Sequence, residues 1–320
     1  MTLRLGVPVG LMAVVPLLRE ELLRAYPQAK LHEVNRVFGE DELIDFLRGC
    51  DAAIIGMEPV TDRVLTALPE LRAIGKFGVG VESIDFEAVR KHGVRFGYTR
   101  GVNKLAVAEL ALCFAIAALR GVASVNHAMR EGARPRQNLG RLLTGRVVGI
   151  HGCGHIGKVL VQLLRPFGCT VLACDLRSDA EQLDFYRQHG VAAVSFGELL
   201  NRSEVLSLHL PLTELTRNLY NEATLGKLRE DCVLINTCRG FIVDEAALRE
   251  RLASGKLLAA CCDAFAIEPA TDDALLRLPN FLATPHIGAS AIETRLAMAR
   301  AAIRGVAENA PVERGQYDNI

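Results

Sequence analysis

The 320-residue sequence has no net charge, because 37 lysines and arginines balance 37 aspartates and glutamates. No summed field therefore draws it to nucleic acid or to an anionic membrane. Long apolar runs are missing too. The longest, Leu105 to Leu119, is interrupted by Glu109 and is too short to cross a bilayer. The opening stretch Met1 to Val9 is too short in apolar residues for a signal peptide and reads as a first strand. Repeats and low-complexity segments do not occur. The nine cysteines are odd in number and form no C-x-x-C pair. Six of them (Cys153, Cys169, Cys174, Cys232, Cys261, Cys262) lie in or beside apolar runs and read as buried, reduced thiols. A reducing compartment follows, most simply the cytosol. No metal site is expected.

The chain is too long for one compact core of usual size, and 50% hydrophobic with 23% charged residues fits a globular protein of two domains. Strand-like runs (Leu3–Val9, Ala52–Gly56, Leu71–Lys76, Val94–Gly97) alternate with helix-like ones (Leu17–Ala25, Glu40–Leu47, Asp62–Ala67, Phe86–Lys91) over the first hundred residues. Such alternation predicts a parallel sheet with crossover helices. A long helical stretch from Asn103 to about Arg130 follows, then a polar connector rich in breakers, Glu131 to Gly145. A second α/β series begins at Arg146. An Ala-rich helical run, Ala291 to Ala307, and a polar tail end the chain. Pattern alone does not assign that last helix to either domain.

The second series opens on the most informative segment. The apolar run Arg146 to His151 feeds Gly152-Cys153-Gly154-His155-Ile156-Gly157, a G-x-G-x-x-G turn. A helical pattern leaves the turn, a second apolar run (Cys169–Cys174) follows, and Asp175 comes 18 residues after Gly157. Strand, turn, helix, strand and acid in that order predict a dinucleotide site. Gly152 allows the tight turn, Gly154 admits a pyrophosphate to the backbone, and Gly157 lets the helix pack on its strand. The free N–H groups at the helix start face the phosphates. Asp175 accepts from the adenosine ribose hydroxyls and repels a 2′-phosphate, so NAD is expected over NADP, although Arg177 carries the contrary sign.

From Leu71 onward the motifs resemble the D-isomer-specific 2-hydroxyacid dehydrogenases, which include D-3-phosphoglycerate dehydrogenase, D-lactate dehydrogenase and hydroxypyruvate/glyoxylate reductases. Ile74 to Gly80 is similar to the family's substrate-carboxylate loop, and His209-Leu210-Pro211 to its strand-end H-x-P. Ile235 to Asp244 resembles its arginine motif, Asp263 to Pro269 its glutamate motif, and Thr284 to Gly288 its histidine motif. The resemblance implies two doubly wound parallel-sheet α/β domains with the active site between them. Residues 1–99 with 288–320 would form the substrate domain, and 100–287 an inserted NAD-binding domain with a dimerisation arm. It further implies a homodimer. Among relatives, the short chain and the Ile235–Asp244 motif look most like the phosphoglycerate dehydrogenase branch, without the regulatory domain of its longer members.

Hydride exchange between a nicotinamide and a 2-oxo acid needs a cation for the carboxylate, a proton donor at the carbonyl oxygen and a partner that keeps the donor charged. The guanidinium of Arg239 suits the first role, since its parallel donors grip carboxylate and carbonyl oxygens together. His286 suits the second, because a histidine titrates near the working pH. Glu268 suits the third, because a neighbouring carboxylate favours the imidazolium. The backbone around Gly78, Val79 and Gly80 would form a nest for the substrate carboxylate. Lys76, Arg100 and Asn103 are the other candidate substrate contacts. The resemblance adds His155, Ile156, His209, Pro211, Thr237, Cys238, Asp263 and Gly288 as cofactor contacts, with Asp263 near the nicotinamide carboxamide. Departures from the family pattern are Glu82-Ser83 in place of Asp-Asn, Arg100 in place of proline, and no tryptophan in the connector near Ala133–Pro135. A phosphate or second carboxylate would give Lys76 and Arg100 a task, so a small anionic 2-hydroxy acid is expected, phosphoglycerate first and glycerate/hydroxypyruvate second, ahead of lactate. A rival of another class is an NAD(H)-sensing scaffold like the C-terminal-binding-protein corepressors.

Overall fold

The computed structural model describes residues 3–133 and 139–317. Met1 and Thr2 of the expected first strand, Arg134 to Arg136 of the connector, and the end of the tail lie outside them. The chain divides into two compact units, 1–103 with 290–320, and 104–289.

The first unit is a five-stranded parallel sheet made of β1 (Leu5–Val7), β2 (Lys30–Leu31), β3 (Ala52–Ile55), β4 (Ala73–Lys76) and β5 (Arg95–Gly97), in the order β2-β1-β3-β4-β5. β1, β3 and β4 are buried throughout and read as near-continuous apolar runs, as strands covered on both faces must. Two crossover helices have side-chain caps: Thr61 accepts from Val64 N–H and Asp85 from Ala88 N–H. The Ala-rich helix Ile292–Ala307 belongs to this unit. Its backbone presses so closely on β5 that a Cβ at Gly97 would lie 2.0 Å from the carbonyl oxygen of Gly305. Only a glycine pair permits that approach.

The tail is not a loose polar end. Ala310 and Phe96 exchange backbone hydrogen bonds, and Val312 is buried. A short helix, Gly10–Val14, and β2 were not legible in the pattern.

The second unit is a seven-stranded sheet in which every pairing is parallel. Its strands are β6 (Val147–His151), β7 (Thr170–Cys174), β8 (Ala192–Ala193), β9 (Val205–Leu208), β10 (Val233–Asn236), β11 (Ala259–Cys262) and β12 (Phe281–Ala283). The order β12-β11-β10-β9-β6-β7-β8 reverses direction between β6 and β9. Ligands of such sheets bind at that switch point, beyond the carboxyl ends of the strands. Strand alternation divides the core into two layers: Val148, Ile150, Val205 and Ile235 on one face, Leu172, Leu206, Leu208 and Leu234 on the other.

The stretch read as one helix from Asn103 to Arg130 is two. Gly121, in the left-handed region at φ 62°, separates Lys104–Arg120 from Val122–Arg130, and the pair is bent by 63°. The first helix inserts Ala108, Ala111, Phe114 and Ala115 into the core, whereas the second buries none of its residues. No single helix among the described residues is long and apolar enough to cross a membrane. All nine cysteines are free; Cys153, Cys232, Cys261 and Cys262 are buried, Cys169 and Cys174 half-buried.

Candidate active site

Because the second sheet is parallel throughout, the residues following β6, β7, β9, β10, β11 and β12 collect along one edge. Gly152 follows β6 with φ 87°, and a Cβ there would stand 2.4 Å from the His209 carbonyl oxygen. A Cβ on Gly157 would meet the Gly152 carbonyl oxygen at 2.6 Å, so the helix His155–Leu164 starts hard against the turn. Gly154 faces open space. Asp175 follows β7 and braces the same turn, accepting from Cys153 N–H at 2.5 Å and Arg177 N–H at 2.8 Å. The Arg177 side chain is paired with Asp179 instead.

His209, after β9, bonds Ser207 through Nε2 at 2.9 Å, and burial lowers its pKa to about 4. Its Nδ1 and the hydroxyl of Thr237, after β10, are enclosed without a protein partner among the described residues. An open glycine turn at a ten-residue helix start, a ribose-type carboxylate and orphaned polar atoms on one edge fit a dinucleotide. Ile156 is half-buried behind that turn and His155 exposed at the helix start, while exposed Pro211 gives its carbonyl to the Thr216 hydroxyl.

The loops after β10, β11 and β12 carry the three candidate catalytic residues. Asn236, at the end of β10, pins the arginine turn: Oδ1 accepts from Cys238 N–H at 3.2 Å and Nδ2 donates to the Arg239 carbonyl at 2.9 Å. The half-buried Arg239 side chain donates to the carbonyl of Cys238, itself buried. A Cβ on Gly240 would stand 2.0 Å from the Phe265 carbonyl oxygen, so the arginine turn lies directly on the Glu268 loop. Glu268 Oε1 accepts from Phe265 N–H at 3.1 Å. Its two oxygens lie 3.1 and 2.9 Å from His286 Nδ1. A carboxylate only accepts, so Nδ1 carries the hydrogen and Nε2 is the nitrogen left for proton exchange. A cavity of about 250 Å³ lies here, lined by Phe265, Glu268, Pro269, Ala270, Pro285 and His286.

His286 itself sits in the left-handed region at φ 55°, a conformation that costs a non-glycine residue about 1–3 kcal/mol and persists only when its surroundings enforce it. Asp263 is the enforcer. This residue, 1% exposed, takes the Thr284 hydroxyl and Ile287 N–H on Oδ1 at 2.6 and 2.7 Å, and Gly288 N–H on Oδ2 at 2.7 Å. Asp263 and Gly288, expected from the resemblance as cofactor contacts, are thus joined to each other and hold the loop that presents His286.

In the first unit, Gly78, Val79 and Gly80 follow β4, with Gly78 at φ 102°. Among the described residues their backbone N–H groups donate to no protein acceptor, as an anion nest requires. Lys76, 3% exposed, has its ammonium on the carbonyls of Gly56 and Phe77 at 2.8 and 3.0 Å. The N–H of the same Gly56 donates to the buried carboxylate of Glu58. Arg100 donates to the Gln316 carbonyl and lies over the Tyr317 ring, so its charge serves the tail. The reason for assigning Arg100 to substrate falls away. Asn103 is buried just before the helix Lys104–Arg120.

Residues 112–288 match the D-isomer specific 2-hydroxyacid dehydrogenase, NAD binding domain. A hydroxypyruvate reductase of Thermotoga maritima is 32% identical over 88% of this chain and 91% of its own. The D-3-phosphoglycerate dehydrogenase of Bacillus subtilis is 34% identical over 83% of this chain but 50% of its own. The chain belongs to the D-isomer specific 2-hydroxyacid dehydrogenase family. A crystal structure of a glyoxylate reductase from Paecilomyes thermophila superposes with a TM-score of 0.82 at 27% identity, over 95% of this chain and 94% of that one. The protein is thus an NAD-dependent oxidoreductase acting on the CH–OH group of 2-hydroxy acids.

For this family member, sequence reasoning passed over several residues that shape the site. Asn236 and Thr284 stand inside the arginine and histidine motifs without a role read from sequence, and Glu245, which accepts from Ala266 N–H at 2.7 Å, stands outside them. Glu58 lies ahead of the motifs that begin at Leu71, and Tyr98 stands two residues before Arg100 without a role of its own. A polar residue in an otherwise apolar strand end was the available signal for Asn236.

Proposed function

We propose that this dehydrogenase interconverts a small unphosphorylated 2-oxo acid, glyoxylate or hydroxypyruvate, and its D-2-hydroxy acid, with NAD(H) preferred over NADP(H). The observation that carries the substrate choice is the engagement of both cations expected to meet a distal anion. Lys76 is buried with its ammonium on the Gly56 and Phe77 carbonyls, and Arg100 is committed to the tail. A distal phosphate would then be desolvated without a dedicated partner. This reverses the order expected from sequence, in which phosphoglycerate came first. The near end-to-end match to a hydroxypyruvate reductase supports the same order.

In the proposed mechanism the unit of residues 1–103 and 290–320 binds substrate, and the Gly78–Gly80 nest receives the carboxylate. Arg239 grips the carboxylate and carbonyl oxygens through parallel donors. When bound, the reduced nicotinamide supplies the hydride. His286 gives the proton from Nε2 to the carbonyl oxygen and takes it back in the reverse direction. Glu268 holds Nδ1–H and balances the imidazolium charge, and Asp263 fixes the loop in its strained conformation. Asp175 accepts from the ribose hydroxyls, and Arg177, the cation two residues on, is tied to Asp179 rather than held ready for a 2′-phosphate.

We also propose a cytosolic homodimer. Val122, Met129, Leu139 and Leu142 are exposed apolar side chains on and after a helix none of whose residues is fully buried.

The test is catalytic efficiency with NADH on glyoxylate, hydroxypyruvate, pyruvate and 3-phosphohydroxypyruvate. The unphosphorylated C2 and C3 acids should lead, and His286→Ala should lower kcat by ~10²–10⁴-fold. A clear preference for the phosphorylated acid would overturn the substrate reading.

A further inference from the structure

We propose that Tyr98 is a positioning residue for the carboxylate nest, and that the C-terminal segment holds Tyr98 in place. This rests on the reading that Gly78–Gly80 receives the substrate carboxylate. Tyr98 Oη donates to the Val79 carbonyl at 2.7 Å. The peptide unit is planar and trans, so anchoring that carbonyl on Tyr98 directs the Gly80 N–H to the opposite side. The neighbours of Val79 are both glycines, which leave the peptide otherwise free to rotate. One hydroxyl therefore selects the donor-out state of the nest.

The ring that carries the hydroxyl is itself held from the tail. Tyr98 lies 5.9 Å from Phe96, stacked, and 5.9 Å from Tyr317, edge-on. Tyr317 in turn stacks on Phe86 at 4.3 Å and meets the edge of Phe96 at 5.5 Å. The tail reaches this place by fastenings along the β5 side. Arg95 bonds Asn309, Phe96 and Ala310 exchange backbone bonds, and Arg100 donates to the Gln316 carbonyl at 3.0 Å while lying over the Tyr317 ring. Arg100 is the family departure noted in the sequence, and its use as a tail clamp accounts for it. A ring needed only for packing would be served equally by phenylalanine; the hydroxyl has its use at Val79.

Tyr98→Phe separates the two roles, since it keeps the aromatic packing and removes the bond. With the full chain and the best 2-oxo acid of the panel, KM for that acid should rise about 5- to 10-fold, the range of one lost hydrogen bond. The KM for NADH and the melting temperature should stay near wild type. Tyr317→Ala should raise the oxo-acid KM in the same direction by less, and in the double variant the two effects should not add, because both act through one bond. Gly78→Ala serves as the control, as it strains the nest directly. A raised KM in Gly78→Ala with an unchanged KM in Tyr98→Phe would overturn this proposal alone. An unchanged KM in both would overturn the nest reading and this proposal with it.

Discussion

Asp263→Asn changes one oxygen for an NH₂ group and nothing in size, yet it should disable the enzyme. The carboxylate accepts three short hydrogen bonds from the loop that presents His286, two on Oδ1 and one on Oδ2. An asparagine oriented with its oxygen at the Oδ1 position keeps the Thr284 and Ile287 bonds but turns an N–H donor toward the Gly288 N–H. The flipped orientation loses the Ile287 bond instead. Either way one charge-assisted bond goes and a buried N–H is left unsatisfied, a cost of about 3 kcal/mol. His286 at φ 55° stores about 1–3 kcal/mol of backbone strain that these bonds hold in check. With the restraint gone, the loop relaxes, and the competent conformation becomes a minor state. A loss of about 3 kcal/mol corresponds to a fall in kcat of ~10²-fold. NADH binding, followed by fluorescence titration, should change little, because the glycine turn after β6 and its bonds to Asp175 are untouched. Steady-state kinetics beside the titration separates the two. A kcat within threefold of wild type would refute the argument that Asp263 enforces the histidine conformation.

Other outcomes follow from the same geometry. Asp175→Ala should narrow the preference for NADH over NADPH by removing the ribose acceptor and the repulsion of a 2′-phosphate, read from the ratio of kcat/KM for the two cofactors; an unchanged ratio counts against that role. Burial holds the His151 pKa at about 4, below its ordinary 6.5, so between those values the unfolded chain binds the extra proton. Stability should therefore be complete above about pH 6.5 and decline toward pH 4, by up to about 3 kcal/mol from this one group. His151→Leu should flatten the pH dependence of urea unfolding by up to one proton, and equal slopes would contradict the assignment. Light scattering at micromolar concentration should give twice the chain mass, and Met129→Glu with Leu142→Glu should shift it toward the monomer; a monomeric wild type would end the dimer proposal.

The dinucleotide turn was legible because its chemistry is local. Gly152, Gly154, Gly157 and Asp175 answer to one strand–turn–helix–strand unit whose backbone demands are written in consecutive residues, and the alternation of strand and helix patterns revealed the parallel sheets. The helices Glu40–Leu47, Asp62–Ala67 and Phe86–Lys91 fall where their periodicity set them. The break at Gly121 was missed because the apolar pattern continues across it; one residue in the left-handed region turned a single helical stretch into two.

What only tertiary structure decided are the partnerships between residues far apart in the chain. Nothing near Asp263 announces that it holds residues 284–288, and nothing near Tyr98 that it meets Val79 and Tyr317. Arg100 and Lys76 illustrate the reason most directly. In sequence each is a free positive charge beside a substrate motif, but a charge acts where its side chain ends. Lys76 ends on the Gly56 and Phe77 carbonyls and Arg100 on the docked tail. Local sequence determines backbone geometry and residue chemistry, whereas the occupancy of each donor and acceptor is settled only when distant segments pack together.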